Sequence, residues 1–304
     1  MVEEEVRKIV GQYFPPELQQ QIWRYERELG QVQEIRCRVE RPLLLRLGQG
    51  KERMVTECLS TTQLQHLVSR ISQGSAYAWE EEFRQGYLTL SGGHRVGFVG
   101  KGVLEHGHIR TLKQISGLNF RIARAVKGAA DELVAKVVAG GQLHNTLLVS
   151  PPGCGKTTLL RDLIRQLSEG VPGLQFTGVN VGVVDERSEL AGCVSGVPQL
   201  DVGCRTDVLD GCPKSEGIRM LIRSMAPQVV AADEIGSIAD VQALEEALQS
   251  GVHILTTAHG DGLEDLLQHP ALGPLLQRDC FSLVVSLRWQ GGKVALQYER
   301  EVLA

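Results

Sequence analysis

Ser150-Pro-Pro-Gly-Cys-Gly-Lys-Thr-Thr158 decides the reading of this chain. It follows a short apolar run, Asn145-Thr-Leu-Leu-Val149, and opens an amphipathic one, Thr157 to Leu167. Buried strand, glycine-rich loop and helix, in that order, are what a phosphate-binding loop needs. Gly153 and Gly155 permit a backbone that turns its N–H groups toward phosphate oxygens. The helix start adds partial positive charge. Pro152, Gly153, Cys154, Gly155, Lys156, Thr157 and Thr158 are therefore the expected nucleotide-binding residues. Lys156 can reach the β- and γ-phosphates, and Thr157 can place its hydroxyl on Mg²⁺. Cys154 reads as a spacer. The usual pattern begins with Gly, where this chain has Ser150; the two glycines nearest Lys156 are kept, so the loop is expected to form.

Beyond the loop, strand-like runs alternate with helical ones. Gly178–Val184, Gln228–Ala232 and Val252–Thr257 read as strands, Gly217–Met225 and Asp240–Leu248 as helices, with Gly251 as a stop. Such alternation predicts a parallel sheet covered on both faces. Val229-Val-Ala-Ala-Asp-Glu234 ends a strand in two acids, a Walker B arrangement. Asp233 is placed for the Mg²⁺ shell and Glu234 to polarise the attacking water. Val183-Val-Asp-Glu-Arg-Ser-Glu189 offers Asp185, Glu186 and Glu189 to orient water, and Arg187 for a phosphate or for pairing with these acids. A solvated acidic loop with an internal ion pair is the competing reading. Thr256-Thr-Ala-His259 ends another strand, where His259 can sense the γ-phosphate. Phe281–Trp289 and Lys293–Tyr298, around Gln290-Gly-Gly292, read as an antiparallel hairpin.

Before the loop the pattern changes. Pro16–Leu29 reads as a helix stopped by Gly30, Val32–Val39 alternates as a half-buried strand, Leu43–Leu47 can pair with it, and Thr62–Ile71 reads as a helix. Glu80–Leu90 precedes Ser91-Gly-Gly-His-Arg-Val-Gly97, whose glycines mark a tight turn between strands. His106-x-His108 resembles a metal-ligand pair, but Glu-His-Gly-His reads as a hairpin turn. The expectation is two domains: a smaller α+β domain at 1–121 and an α/β P-loop core with a terminal β-hairpin at 122–304.

Composition narrows the classes. The 304 residues are 42% hydrophobic and 22% charged, near globular averages, so a largely disordered or fibrous chain is excluded. No apolar run approaches the roughly 18 residues of a membrane span, and Met-Val-Glu-Glu-Glu is not a secretory signal. A cytoplasmic protein is expected. The first 120 residues carry 16 Lys+Arg and 14 Asp+Glu, a net of +2; the rest carry 16 and 22, a net of −6. Neither half has the basic balance of a dedicated nucleic-acid binder. Seven cysteines, with no Cys-x-x-Cys, read as reduced thiols.

The motifs together resemble the stage III sporulation protein AA family, relatives of the type II and type IV secretion ATPases. The likeness runs over nearly the whole chain, through Glu34-Ile-Arg-Cys-Arg-Val39, Arg84-Gln-Gly-Tyr-Leu-Thr89, Gly92-Gly-His-Arg-Val-Gly97 and Leu118-Asn-Phe-Arg-Ile-Ala-Arg124 in the first half. It continues through Val184-Asp-Glu-Arg-Ser-Glu189, Gly203-Cys-Arg-Thr-Asp-Val-Leu209, Met220-Leu-Ile-Arg-Ser-Met225, Asp233-Glu-Ile-Gly236 and Thr257-Ala-His-Gly260. The resemblance implies a mother-cell ATPase of an endospore former, using ATP and Mg²⁺ to power or assemble a channel to the forespore. It implies a homo-hexameric ring, membrane channel proteins as partners, no nucleic acid, and peripheral attachment to the membrane through those partners. Glu186 and Glu189 look like the acidic box of the secretion enzymes, and His259 like their histidine box. Asp233 stands where they usually carry Gly, which leaves Glu189 and Glu234 as alternatives for water activation. Arg95, Arg121, Arg187, Arg205 and Arg223 are candidate arginine fingers. Two other classes compete with the motor: a RecA-like or AAA-type nucleic-acid-dependent ATPase, and a small-molecule kinase, for which no lid-like arginine cluster is found. A nucleotide switch with slow turnover is a further reading.

Overall fold

Alternating apolar and polar residues build the first sheet. The computed structural model describes residues 2–72, 86–290 and 293–301, and the chain divides into two units, Met1–Arg124 and Ala125–Ala304. In the first unit, strands Val32–Arg38 (β1), Pro42–Leu47 (β2), Glu52–Cys58 (β3), Tyr87–Leu90 (β4), His94–Glu105 (β5) and His108–Arg121 (β6) form one antiparallel sheet, ordered β3-β2-β1-β6-β5-β4. Alternate residues of β1, β2 and the first half of β5, among them Ile35, Cys37, Leu43, Leu45 and Val96, point into a core that Phe120 of β6 joins. Helices Val2–Tyr13 (α1) and Thr61–Ile71 (α3) contribute Val6, Ile9, Leu64 and Leu67 to that core, as does Phe14, whose ring lies 4.9 Å from that of Phe120. Ser60 and Gln63 cap α3 reciprocally, each bonding the other's backbone N–H.

One expectation needs correction here. The helix expected over Pro16–Leu29 is α-helical only at Pro16–Trp23 (α2), and Glu26–Gln31 is a 3₁₀ turn. The tighter winding brings Leu29 into the core while the Tyr25 hydroxyl donates to the Met54 carbonyl at 3.1 Å. The acidic start of the chain, unassigned from sequence, is helix α1. His106 and Gly107 form the turn of the β5–β6 hairpin, and among the described residues no three His, Cys, Asp or Glu side chains gather as a metal site. Residues 73–85, which include much of the Glu80–Leu90 stretch, and the 291–292 turn lie outside the described residues.

The second unit is a seven-stranded sheet. Its strands are Thr146–Ser150 (β7), Val181–Asp185 (β8), Thr206–Asp210 (β9), Val229–Ala232 (β10), His253–His259 (β11), Leu283–Gln290 (β12) and Lys293–Glu301 (β13). Their order is β13-β12-β7-β11-β10-β8-β9, parallel throughout except for the β12–β13 edge pair. Every residue of β7, β8 and β10 is buried, as expected for strands covered on both sides. Leu148 faces a core built with helices Asp131–Val137 (α4) and Lys156–Glu169 (α5). Its neighbours Leu147 and Val149 face the opposite core, built with Lys214–Met225 (α6), Ile238–Gln249 (α7), Leu263–Leu267 (α8) and Leu272–Gln277 (α9). Strand β9 and helices α4, α8 and α9 carry no clear periodicity and were not expected from sequence. The consequence for the site is simple: β7, β8, β10 and β11 all end on one edge, so Ser150, Asp185, Asp233 and His259 arrive there together. That edge is where open parallel sheets hold their ligands.

Candidate functional site

The loop between β7 and α5 has the backbone its glycines suggested. Gly153 and Gly155 have φ of +80° and +87°, which a side chain would strain, and Gly155 is the N-cap of α5. The first turn of α5 contains no acidic residue, so its free N–H groups keep their positive end open to an anion. Ser150 is the last residue of β7 and does not take a left-handed conformation, so this position does not demand glycine. Its carbonyl and hydroxyl instead accept from the Lys156 ammonium at 2.6 and 3.2 Å.

Lys156 is only 6% exposed, and burial lowers its pKa, opposed by the charges of Asp233 and Glu234. Its ammonium also donates to His259 Nδ1 at 3.1 Å. A lysine has no acceptor, so Nδ1 holds the lone pair and Nε2 the proton, which goes to Glu234 Oε1 at 2.9 Å. Glu234 Oε2 in turn accepts from Arg187 at 3.0 Å. Lys156, His259, Glu234 and Arg187 thus form one chain of hydrogen bonds across the strand tips.

A second set surrounds Asp233. One carboxylate oxygen accepts from the Thr157 hydroxyl at 2.6 Å and the other from the Thr257 hydroxyl. Thr257 Oγ1 also accepts from the Glu234 N–H at 2.9 Å. Glu234 itself has φ of +54°, a strained value for a non-glycine residue, and the Thr257 bond helps hold it there. β11 lies between β7 and β10, so it can serve both: Thr257 steadies the acids and His259 links Glu234 to the loop lysine.

The acidic loop after β8 is built differently from its charge pattern. Asp185 is 3% exposed and spends its carboxylate on the N–H groups of Glu189, Leu190 and Ala191 at 2.8, 3.0 and 2.8 Å. It shapes the loop and does not present itself to water. Arg161 of α5 closes the same loop from inside, donating to the carbonyls of Glu189 and Leu190, both at 2.5 Å. Burial lowers the Arg161 pKa, and the neighbouring Asp185 opposes this. Glu186 pairs with Lys214 of α6. A narrow cleft is bounded by these acids, Arg187, Lys214, Asp233 and Glu234.

Arg161, Thr257 and Lys214 were missed by sequence reasoning. Arg161 sits inside a helical apolar run without a motif, and Lys214 pairs with an acid 28 residues away.

Of the candidate arginines, only Arg187 lies at this site within the second unit. Arg205 bonds the Ser168 carbonyl at 2.7 Å, at the far end of α5 from the loop. Arg223 is in the last turn of α6, which leads into the start of β10, also the opposite edge. Arg95 and Arg121 are cross-strand partners in the first unit's sheet, with Arg95 stacked 3.7 Å over the Tyr87 ring.

The comparisons agree with this architecture. The chain is 43% identical over 280 residues to the stage III sporulation protein AA of Bacillus subtilis, covering 91% of this chain and 89% of that protein. Its fold matches the ATPase DotB of Legionella pneumophila with a TM-score of 0.63 at 16% identity, over 95% of this chain and 81% of DotB. It also matches the pilus retraction motor PilT, solved with bound ADP, with a TM-score of 0.60 at 15% identity, over 91% and 81% of the two chains. The fold is thus that of DotB and PilT, a RecA-like core preceded by a smaller α+β unit. The profile of the family described as "Sporulation stage III, protein AA" matches residues 3–302, and the chain belongs to that family.

Proposed function

We propose that this chain is a Mg²⁺-dependent ATPase that serves as the motor of a secretion-like sporulation machine. The observation that carries the reading is the junction of Thr157 with Asp233 at 2.6 Å, directly beside the loop lysine and Glu234. The donor set fits a triphosphate with its cation: positive-φ glycines, an acid-free helix start and an ammonium for the phosphates, a hydroxyl and a carboxylate for Mg²⁺. When bound, Mg²⁺ would neutralise charge on the β- and γ-phosphates.

The chain's own residues supply the rest. The α5 amides and Lys156 would hold the phosphates, which requires the ammonium to exchange the Ser150 and Pro151 carbonyls for phosphate oxygens. Glu234 is the better placed of the two glutamates to take a proton from water, because it adjoins Asp233 and is tethered by His259. It must first release Arg187, which would then be free to meet transferring charge. Glu189, Glu186 and Asp185 shape the wall of the cleft. A homo-hexamer fits the far-edge placement of Arg205 and Arg223, which could reach a site only in a neighbouring copy. Among the described residues no helix is long and apolar enough to cross a membrane, so attachment to a channel would run through protein partners.

The test is turnover by Lys156→Ala. We expect ATP hydrolysis to be lost, with the circular dichroism spectrum unchanged. Hydrolysis at the wild-type rate would refute the assignment. Turnover stimulated steeply by single-stranded DNA and suppressed by salt would favour a nucleic-acid-dependent ATPase instead.

A further inference from the structure

We propose that the hairpin of β12 and β13 is the platform on which the nucleobase stacks, with Trp289 as the stacking residue and Val294 as its support. This rests on the nucleotide-binding reading above. The metal and γ-phosphate groups, Thr157, Asp233, Glu234 and His259, all lie on the β11–β10 side of the loop. A nucleotide whose terminal phosphate points that way must leave the loop on the opposite flank, and the strand on that flank is β12.

The tip of β12 is unusual for a sheet edge. Trp289 is 58% exposed, yet its indole N–H is directed at the Gly153 carbonyl, 3.4 Å away. Val294, its cross-strand partner, is 38% exposed and lies closest to Gly155: a Cβ added there would meet a Val294 methyl at 3.9 Å. Two large apolar side chains are therefore held open beside the two glycines that would bind phosphate. The indole edge is anchored to the loop, while much of the side chain stays open to a flat ligand. Stacking on an aromatic face tolerates any base, because each presents a π-surface. The platform should thus strengthen nucleotide binding without choosing between adenine and guanine.

The experiment is calorimetric titration of the full chain, in Mg²⁺, with ATP, GTP and inorganic tripolyphosphate. For Trp289→Ala we expect ATP and GTP to bind about 5- to 150-fold more weakly, in line with the loss of one base–aromatic stack. Tripolyphosphate, which has no base, should bind within about 2-fold of wild type, and Trp289→Phe should recover most of the ATP affinity. Equal weakening of all three ligands would overturn the proposal, since Trp289 would then shape the loop alone. So would unchanged ATP binding. Lys156→Ala separates the two readings: if it binds ATP and tripolyphosphate as wild type does, the phosphate loop itself is misassigned and the platform falls with it.

Discussion

Replacing Asp185 tests whether the acidic loop is held or reactive. Its carboxylate accepts three backbone N–H groups at 2.8 to 3.0 Å, and its charge opposes the cost of burying Arg161. Hydrogen bonds to a charged group contribute about 1.5–3 kcal/mol each, so three give an upper range of about 4.5–9 kcal/mol. The amides can partly turn to water, because the loop also carries exposed residues such as Arg187. We therefore expect Asp185→Ala to destabilise the second unit by about 4 kcal/mol. For a unit of 180 residues, Ala125–Ala304, that is a fall in Tm of about 8–16 °C. Asp185→Asn keeps the shape and one acceptor, and should lose about half as much. Thermal unfolding followed by circular dichroism reads both variants, and turnover is measured well below the transition. A Tm fall under about 3 °C in Asp185→Ala would refute the reasoning. An unchanged Tm with turnover abolished would place Asp185 at the attacking water instead.

Two further outcomes follow from the same geometry. Glu234→Gln should cut ATP turnover by about 10²-fold or more while nucleotide affinity stays within a few-fold, and Glu189→Gln should cost less than about 10-fold; single-turnover rates in the reverse order would move the catalytic role to Glu189. In the first unit, burial lowers the His94 pKa against the pull of Glu5, and its Nδ1 accepts the Ala123 N–H at 3.0 Å, a bond that protonation removes. The unfolded chain binds this proton more readily, so stability is full above the ordinary histidine pKa of about 6.5 and falls as pH drops through it. The first unit's Tm should therefore decline from pH 7.5 to about 5.5, with a shallower slope in His94→Gln; equal slopes would contradict this.

Much of the second unit's core was legible because β7, β8 and β10 are continuous apolar runs and helices α5 and α6 carry strong periodicity. Leu147, Leu148 and Val149 could be read as buried strand from three letters. β9 could not: all its positions are half-buried and its residues are mixed. The glycine turn between β7 and α5 was legible because Gly153 and Gly155 stand at short spacing between an apolar run and a helical one. The roles inside the acidic stretch were not, because a carboxylate that orients water and one that caps three amides have the same letter. Only the fold shows that Asp185 turns inward while Glu234, 49 residues later, stands beside the loop lysine. The break between α2 and the 3₁₀ turn was hidden for a related reason: Tyr25 is drawn off the helix by a carbonyl 29 residues away.

The direction of the protons around Asp233 has a consequence of its own. A carboxylate only accepts, so the hydroxyls of Thr157 and Thr257 must both point their hydrogens at it. Thr157 is left with its lone pairs turned away from the acid, and these are what a hard cation seeks. The aspartate thereby orients its neighbour as well as carrying charge. Asparagine at 233 would lose this polarity even with its size kept, because its amide would offer hydrogens where the site needs only acceptors. The amide oxygen can still accept one of the two hydroxyls, so the threonine left facing the amide N–H groups would lose the direction that the carboxylate gives it.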